Sequence, residues 1–287
     1  MTIRRRRFVW TGLTAATLTI PAAAGGGELN DIYFDSKEVA GSMPLIGVVE
    51  AAAQPMVSQG GASQGGEGGE RGVDPAAAAR DPALFLGALD AIAAHYYAGR
   101  DAYRAGDHEA AAEMFAHPIG EVYGDLEPIL VERGVAPFEA EMLDAVEVAS
   151  AGAPADEVDA AVDEVLARLH AAAAEAPASE LPQVAIQGKV LAELLDRAAL
   201  MYWQATADPA GEAYLDGYGY LHAAEARAED GLTAIEATDP AAAGAAREAL
   251  AVLRATFPTV ERPADLTIDP GLVLSSASLA MLKLGSL

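Results

Sequence analysis

The chain has 287 residues, no cysteine, and 43 acidic against 18 basic side chains, for a formal charge of −25 at pH 7. The lack of cysteine excludes disulfides, thiolate metal sites, a thiol nucleophile and a lipid-bearing cysteine. A field this negative repels nucleic-acid phosphates and anionic lipid and attracts cations or basic partners, so no nucleic-acid role is expected; acidic residues on Ala-rich helices would equally serve to keep a surface soluble in salty surroundings.

Arg4-Arg5-Arg6-Arg7-Phe8-Val9 opens a basic region that is followed by a mildly apolar stretch to Ile20 and by Pro21-Ala22-Ala23-Ala24. This order of basic region, apolar core and A-x-A site is that of a cleavable export signal over residues 1–24. Arg5-Arg6-Arg7-Phe8-Val9 follows the R-R-x-F-[LV] pattern of twin-arginine signals, with general secretion as the alternative. The apolar run of about 13 residues is too short to cross a hydrocarbon core of about 30 Å, so no membrane span is expected after cleavage. The remaining chain of about 263 residues carries a charge near −29 and is long enough for one large domain or two modest ones.

Residues 25–73 are read as a poorly ordered segment that ends in the Gly-, Ser- and Glu-rich linker 59–73. From Asp74 to Leu287 the punctuation is helical. Asp81-Pro82 supplies a cap and a first-turn proline, and Gly106 a stop, for a helix over 82–105. Asp107 caps a second helix that Pro118 is expected to end; a third runs from about Gly120 to Arg133 and a fourth over about 137–150. Val158, Val162, Val165 and Leu169 mark a fifth, and a sixth runs from Gln183 to Thr206. A seventh spans Gly211 to Ala237 with an irregularity expected near Gly217 and Gly219. The last two start at Asp239-Pro240 and Asp269-Pro270, and no strand is expected after residue 75. Short connections between long amphipathic helices predict an all-α fold, an antiparallel helical bundle or two stacked bundles. A tetratricopeptide array is the alternative suggested by Tyr103-Arg104-Ala105-Gly106-Asp107-His108, but no second copy follows at the required offset.

Only five histidines occur. His117 has Glu113 four residues before it, so the two share a helical face and could offer one nitrogen and one oxygen to a cation; a histidine at a helix C-terminus is also favoured by the helix dipole alone. In the second cluster, Glu212 to Glu225, Tyr218 and His222 share a face; Tyr214, Tyr218 and Tyr220 can equally be core aromatics. Two glycines inside this helix, Gly217 and Gly219, permit close packing or mark a break. No H-E-x-x-H, P-loop, G-x-S-x-G, C-x-x-C-H or ferritin-like Glu-x-x-His repeat is present, and the chain is not expected to be an enzyme.

His95, Tyr103-x-x-Gly106, His117-Pro118-x-x-Glu121-x-Tyr123 and Tyr214-x-Asp216-x-Tyr218-Gly219-Tyr220 together resemble the extracytoplasmic helical domain associated with high-affinity iron permeases and, more distantly, imelysin-like metal-uptake proteins. The resemblance covers roughly residues 84–280. It implies a periplasmic or secreted helical bundle that binds iron or another transition metal, with ligands drawn from His95, His117, Glu121 and Asp216, and Glu113, Tyr218 and His222 as secondary candidates. The permease's membrane helices have no counterpart here, so the chain would be a soluble metal-uptake or delivery protein whose partners are a metal ion and a membrane permease or envelope protein. The competing expectation is a metal-free helical interaction module at the cell envelope, docking through acidic faces or through residues 28–58.

Overall fold

A computed structural model describes residues 74–207 and 210–287. The readings of residues 1–24 as an export signal and of 25–73 as a linker lie outside these residues. Among the described residues there is no strand, and the helices are α1 (Pro75–Ala78), α2 (Pro82–Ala105), α3 (His108–Pro118), α4 (Gly124–Glu132), α5 (Glu139–Ser150), α6 (Ala155–Ala173), α7 (Gln183–Ala205), α8 (Glu212–Thr238), α9 (Pro240–Thr256) and α10 (Pro270–Leu284). The all-α bundle predicted from sequence is the fold observed.

The helix starts have a simple chemical origin. Among the described residues four Asp-Pro pairs open helices: each proline occupies the first turn, where its missing N–H costs nothing, and each aspartate accepts the next orphan N–H groups. Asp81 takes Ala83 N–H at 2.8 Å, Asp239 takes Ala241 at 2.8 Å, Asp269 takes Gly271 at 2.8 Å and Asp74 takes Ala76 at 2.9 Å. The last of these opens α1, which sequence analysis did not predict. At the other end of α2, Gly106 adopts φ 96°, a left-handed conformation that closes the helix and costs a glycine little.

Two expectations are corrected. Pro118 does not end a helix: α3 runs through it into a π-helical turn, Ile119–Tyr123, and on into α4. Proline removes one N–H from the ladder, and the wider turn absorbs the fault, with Gly124 N–H bonding back to Ile119 C=O. Continuation is favoured because α4 buries Leu126, Ile129 and Leu130 only if the chain keeps its direction. Nor is there an irregularity at Gly217 and Gly219, since α8 is helical throughout.

α2 is the hub. It packs against α3 and α6 and also against α7 and α8, and 17 of its 24 residues are buried, so its apolar surface extends well beyond a single stripe. This makes the described helices one bundle with a shared central member, not two separate stacks. Antiparallel pairing follows from the contacts: Gly217 meets Met201 while Gly231 meets Gln187 between α8 and α7, and Gly99 lies against Phe115 between α2 and α3. Alanine is the commonest core residue, which lets the helices approach closely. Buried tyrosines tie the loops to the bundle: Tyr214 donates to Thr259 C=O at 2.8 Å, Tyr202 to Ile268 C=O at 3.0 Å, and Tyr123 accepts from Phe138 N–H at 2.8 Å. No helix among the described residues is long and apolar enough to cross a membrane.

Candidate functional site

The site begins with a close approach of two backbones. A Cβ on Gly219 of α8 would stand 2.3 Å from the Ala94 carbonyl oxygen of α2, so only glycine lets the helices meet there. Asp216 and Tyr220 flank this contact four residues apart and therefore share a helical face. That face meets His95, the residue after Ala94.

His95 is 1% exposed and Asp216 8%. His95 Nδ1 lies 2.8 Å from the Ala91 carbonyl oxygen. A carbonyl can only accept, so Nδ1 carries a hydrogen and donates it. Nε2 in turn stands 3.9 Å from Asp216 Oδ1. The second ring nitrogen and a carboxylate oxygen thus approach one another in a buried place, an arrangement that favours a positive charge between them.

Two more rings close on His95. His117, half-buried at the end of α3, has its ring centroid 6.3 Å away at 76°, and Tyr220 lies 6.5 Å away at 71°. Arg197 of α7 donates from Nη1 to the Tyr220 hydroxyl at 3.3 Å and stands over that ring at 5.6 Å. Its charge is balanced by Glu193 at 3.1 Å. His117 also lines a cleft of about 490 Å³ whose walls include Asp107, Glu113, Glu212, Glu261 and Arg262. The four carboxylates give this cleft a negative potential that concentrates cations beside His117.

The predicted residues are therefore only partly brought together. His95 and Asp216 are neighbours, and His117 is the next side chain along. Glu113 is on the cleft wall, and Glu121 is an exposed residue of the π turn. Tyr218 is turned to another side, donating to Asp101 at 2.9 Å, and burial together with that carboxylate pushes its phenol well above the usual tyrosine range. His222 pairs with Glu225 at 3.1 Å, which also holds Arg254 at 2.5 Å. Among the described residues no three His, Asp or Glu side chains stand close enough together to form a finished cation cage. Sequence reasoning missed Tyr220 and singled out Tyr218. Spacing makes Tyr220 the i+4 neighbour of Asp216, but it does not say which face of α8 meets α2.

Further along the same α2–α8 seam lies a second buried charge. Asp90 is 8% exposed and accepts two hydrogen bonds from Arg227, at 2.6 and 2.7 Å. Burial pushes the Asp90 carboxyl above the usual carboxylate range, against the opposing pull of the guanidinium. The pair borders a small cavity of about 110 Å³ next to Tyr97, Leu166, His170 and Asp230.

No family model, curated protein or solved structure matches the chain.

Proposed function

We propose that this chain is a metal-binding protein of the cell envelope, periplasmic or secreted, that takes up or delivers iron or another transition metal. His95 and Asp216 are its inner donors, and His117 stands between them and the acidic cleft. The observation that carries the reading is the orientation of His95, held through Nδ1 with Nε2 toward Asp216. Metal-binding histidines characteristically donate one ring N–H to a carbonyl or carboxylate and ligate through the other nitrogen, and His95 makes the first of these contacts, from Nδ1 to the Ala91 carbonyl. Two donors each bound at about 2.1 Å to one ion lie about 3–4 Å apart, and His95 Nε2 and Asp216 Oδ1 are 3.9 Å apart. Binding completes the set by drawing in His117 through rotation of its side chain, with Glu113 and Glu121 as the carboxylates nearest in sequence to it. Imidazole with carboxylate suits iron, manganese, zinc or copper, and the protein would pass its ion to a permease or another envelope protein.

Titration of the metal-free protein with these four cations should show one equivalent bound to at least one of them. In His117→Ala that stoichiometric binding should disappear while helicity by circular dichroism stays the same. An unchanged isotherm in the variant would remove the site assignment, and a wild-type protein that ignores all four cations would remove the metal reading.

A second reading, an interaction module at the cell envelope that needs no metal, is favoured by one observation. α10 contains no acidic residue in an otherwise acidic chain, and Leu272, Leu279, Met281 and Leu282 on it are all exposed. Under this reading, Leu279→Glu together with Leu282→Glu releases the protein from isolated envelope membranes without altering metal binding. Equal membrane association of both proteins would count against it.

A further inference from the structure

We infer that Tyr220 is an additional ligand of this centre and makes it a site for ferric iron, an inference that rests on the metal reading above. Among the tyrosines of α8, Tyr220 is the one whose ring stands against His95, and it is 1% exposed. Asp216 and Tyr220 lie on one face of α8, and the Gly219 contact with Ala94 presses that face onto α2. One helix therefore presents a carboxylate oxygen and a phenol ring to the imidazole of another.

Arg197 supplies the second half of the argument. Its guanidinium donates to the phenol oxygen at 3.3 Å and is held by Glu193 through contacts at 3.3 and 3.1 Å. A cationic donor at this atom supports the charge of a coordinated phenolate and fixes the direction of its lone pairs, as an outer-shell partner does for a metal ligand. Phenolate and carboxylate oxygens are hard anionic donors, and they favour a trivalent iron over softer divalent ions. On binding, the phenol O–H bond breaks, an Fe–O bond forms and the proton leaves to solvent; the iron keeps its oxidation state. Tyr220 is a ligand in this scheme, and Arg197 is a positioning residue.

The test is to add Fe(III) as its nitrilotriacetate complex to the full chain and record the visible spectrum. Phenolate bound to ferric iron gives a charge-transfer band that imidazole and carboxylate do not. The band should appear in the wild type and in Tyr214→Phe, whose phenol bonds elsewhere, and vanish in Tyr220→Phe. Arg197→Met should keep the helicity and weaken Fe(III) binding about 10–100-fold, with Arg197→Lys restoring part of the loss. A band that survives in Tyr220→Phe overturns the assignment. So does a wild-type protein that binds Fe(III) without the band, and that outcome leaves the metal reading standing. Failure to bind any cation removes the metal reading and this inference with it.

Discussion

Gly219→Ala and Gly244→Ala, the same change of one methyl group, should move stability in opposite directions. Gly244 lies exposed in α9 with nothing within 4 Å of a would-be Cβ, so alanine there gains its helix propensity, up to about 1 kcal/mol. At Gly219 that gain is present too, but the new carbon would meet the Ala94 carbonyl at 2.3 Å. Backbone of a buried helix cannot step aside as a flexible side chain can, so α8 must lift from α2. We expect a net loss of about 1–3 kcal/mol, seen as a lower urea midpoint at constant slope. The same displacement widens the His95–Asp216 gap, so under the proposed metal reading cation binding should weaken in Gly219→Ala and not in Gly244→Ala. Equal and small stabilisation of both variants would show that the close approach is not a constraint.

Arg227→Met should be more damaging, by about 3–5 kcal/mol, because it leaves the Asp90 carboxylate buried with its charge uncompensated. The loss should depend on pH in a defined sense. Asp90 takes up a proton more readily in the folded protein than at its ordinary value of 3.8, so the folded state gains from protonation. That contribution is fully present below the ordinary value and is lost as pH rises through the raised folded one. Acidification should therefore narrow the gap between Arg227→Met and the wild type. The double variant Asp90→Leu with Arg227→Met, in which neither charge remains, should recover most of the stability. Denaturant melts of the three proteins across an acid-to-neutral series decide the matter; a deficit in the single variant that stays the same at every pH would exclude this origin.

Helix boundaries were legible because their signals are local. An aspartate before a proline, or a glycine able to take positive φ, acts on the backbone beside it whatever lies across the bundle; hence the limits of α2 were those expected. Pro118 misled for the opposite reason. Whether a proline stops a helix or is absorbed in a π turn depends on what the following turns bury, and Leu126, Ile129 and Leu130 decided that from a distance. Gly217 and Gly219 carried the same ambiguity. Each would push its Cβ into another element, Phe257 for the first and Ala94 for the second, and neither neighbour can be read from α8's own sequence. The convergence of His95 and Asp216 was anticipated through the family resemblance. Choosing Tyr220 over Tyr218 required the rotation of α8 about its axis, which the contact at Gly219 sets and spacing alone leaves open.

The alanine-rich seam around α2 has a consequence for how this protein can change over generations. A core of leucines offers many methyl groups that drift can remove one at a time, leaving cavities that later substitutions refill. Alanine, the commonest core residue here, holds a single methyl already, so at those positions there is little left to delete, and nearly every accessible replacement adds volume where two helices touch. Variation is thereby driven outward to the solvent-facing positions, where exchanging one carboxylate for another costs almost nothing. Descendants of this chain should diverge quickly on their surfaces while keeping the small residues between helices, so that kinship among them would be easier to see in the spacing of their glycines and alanines than in overall identity.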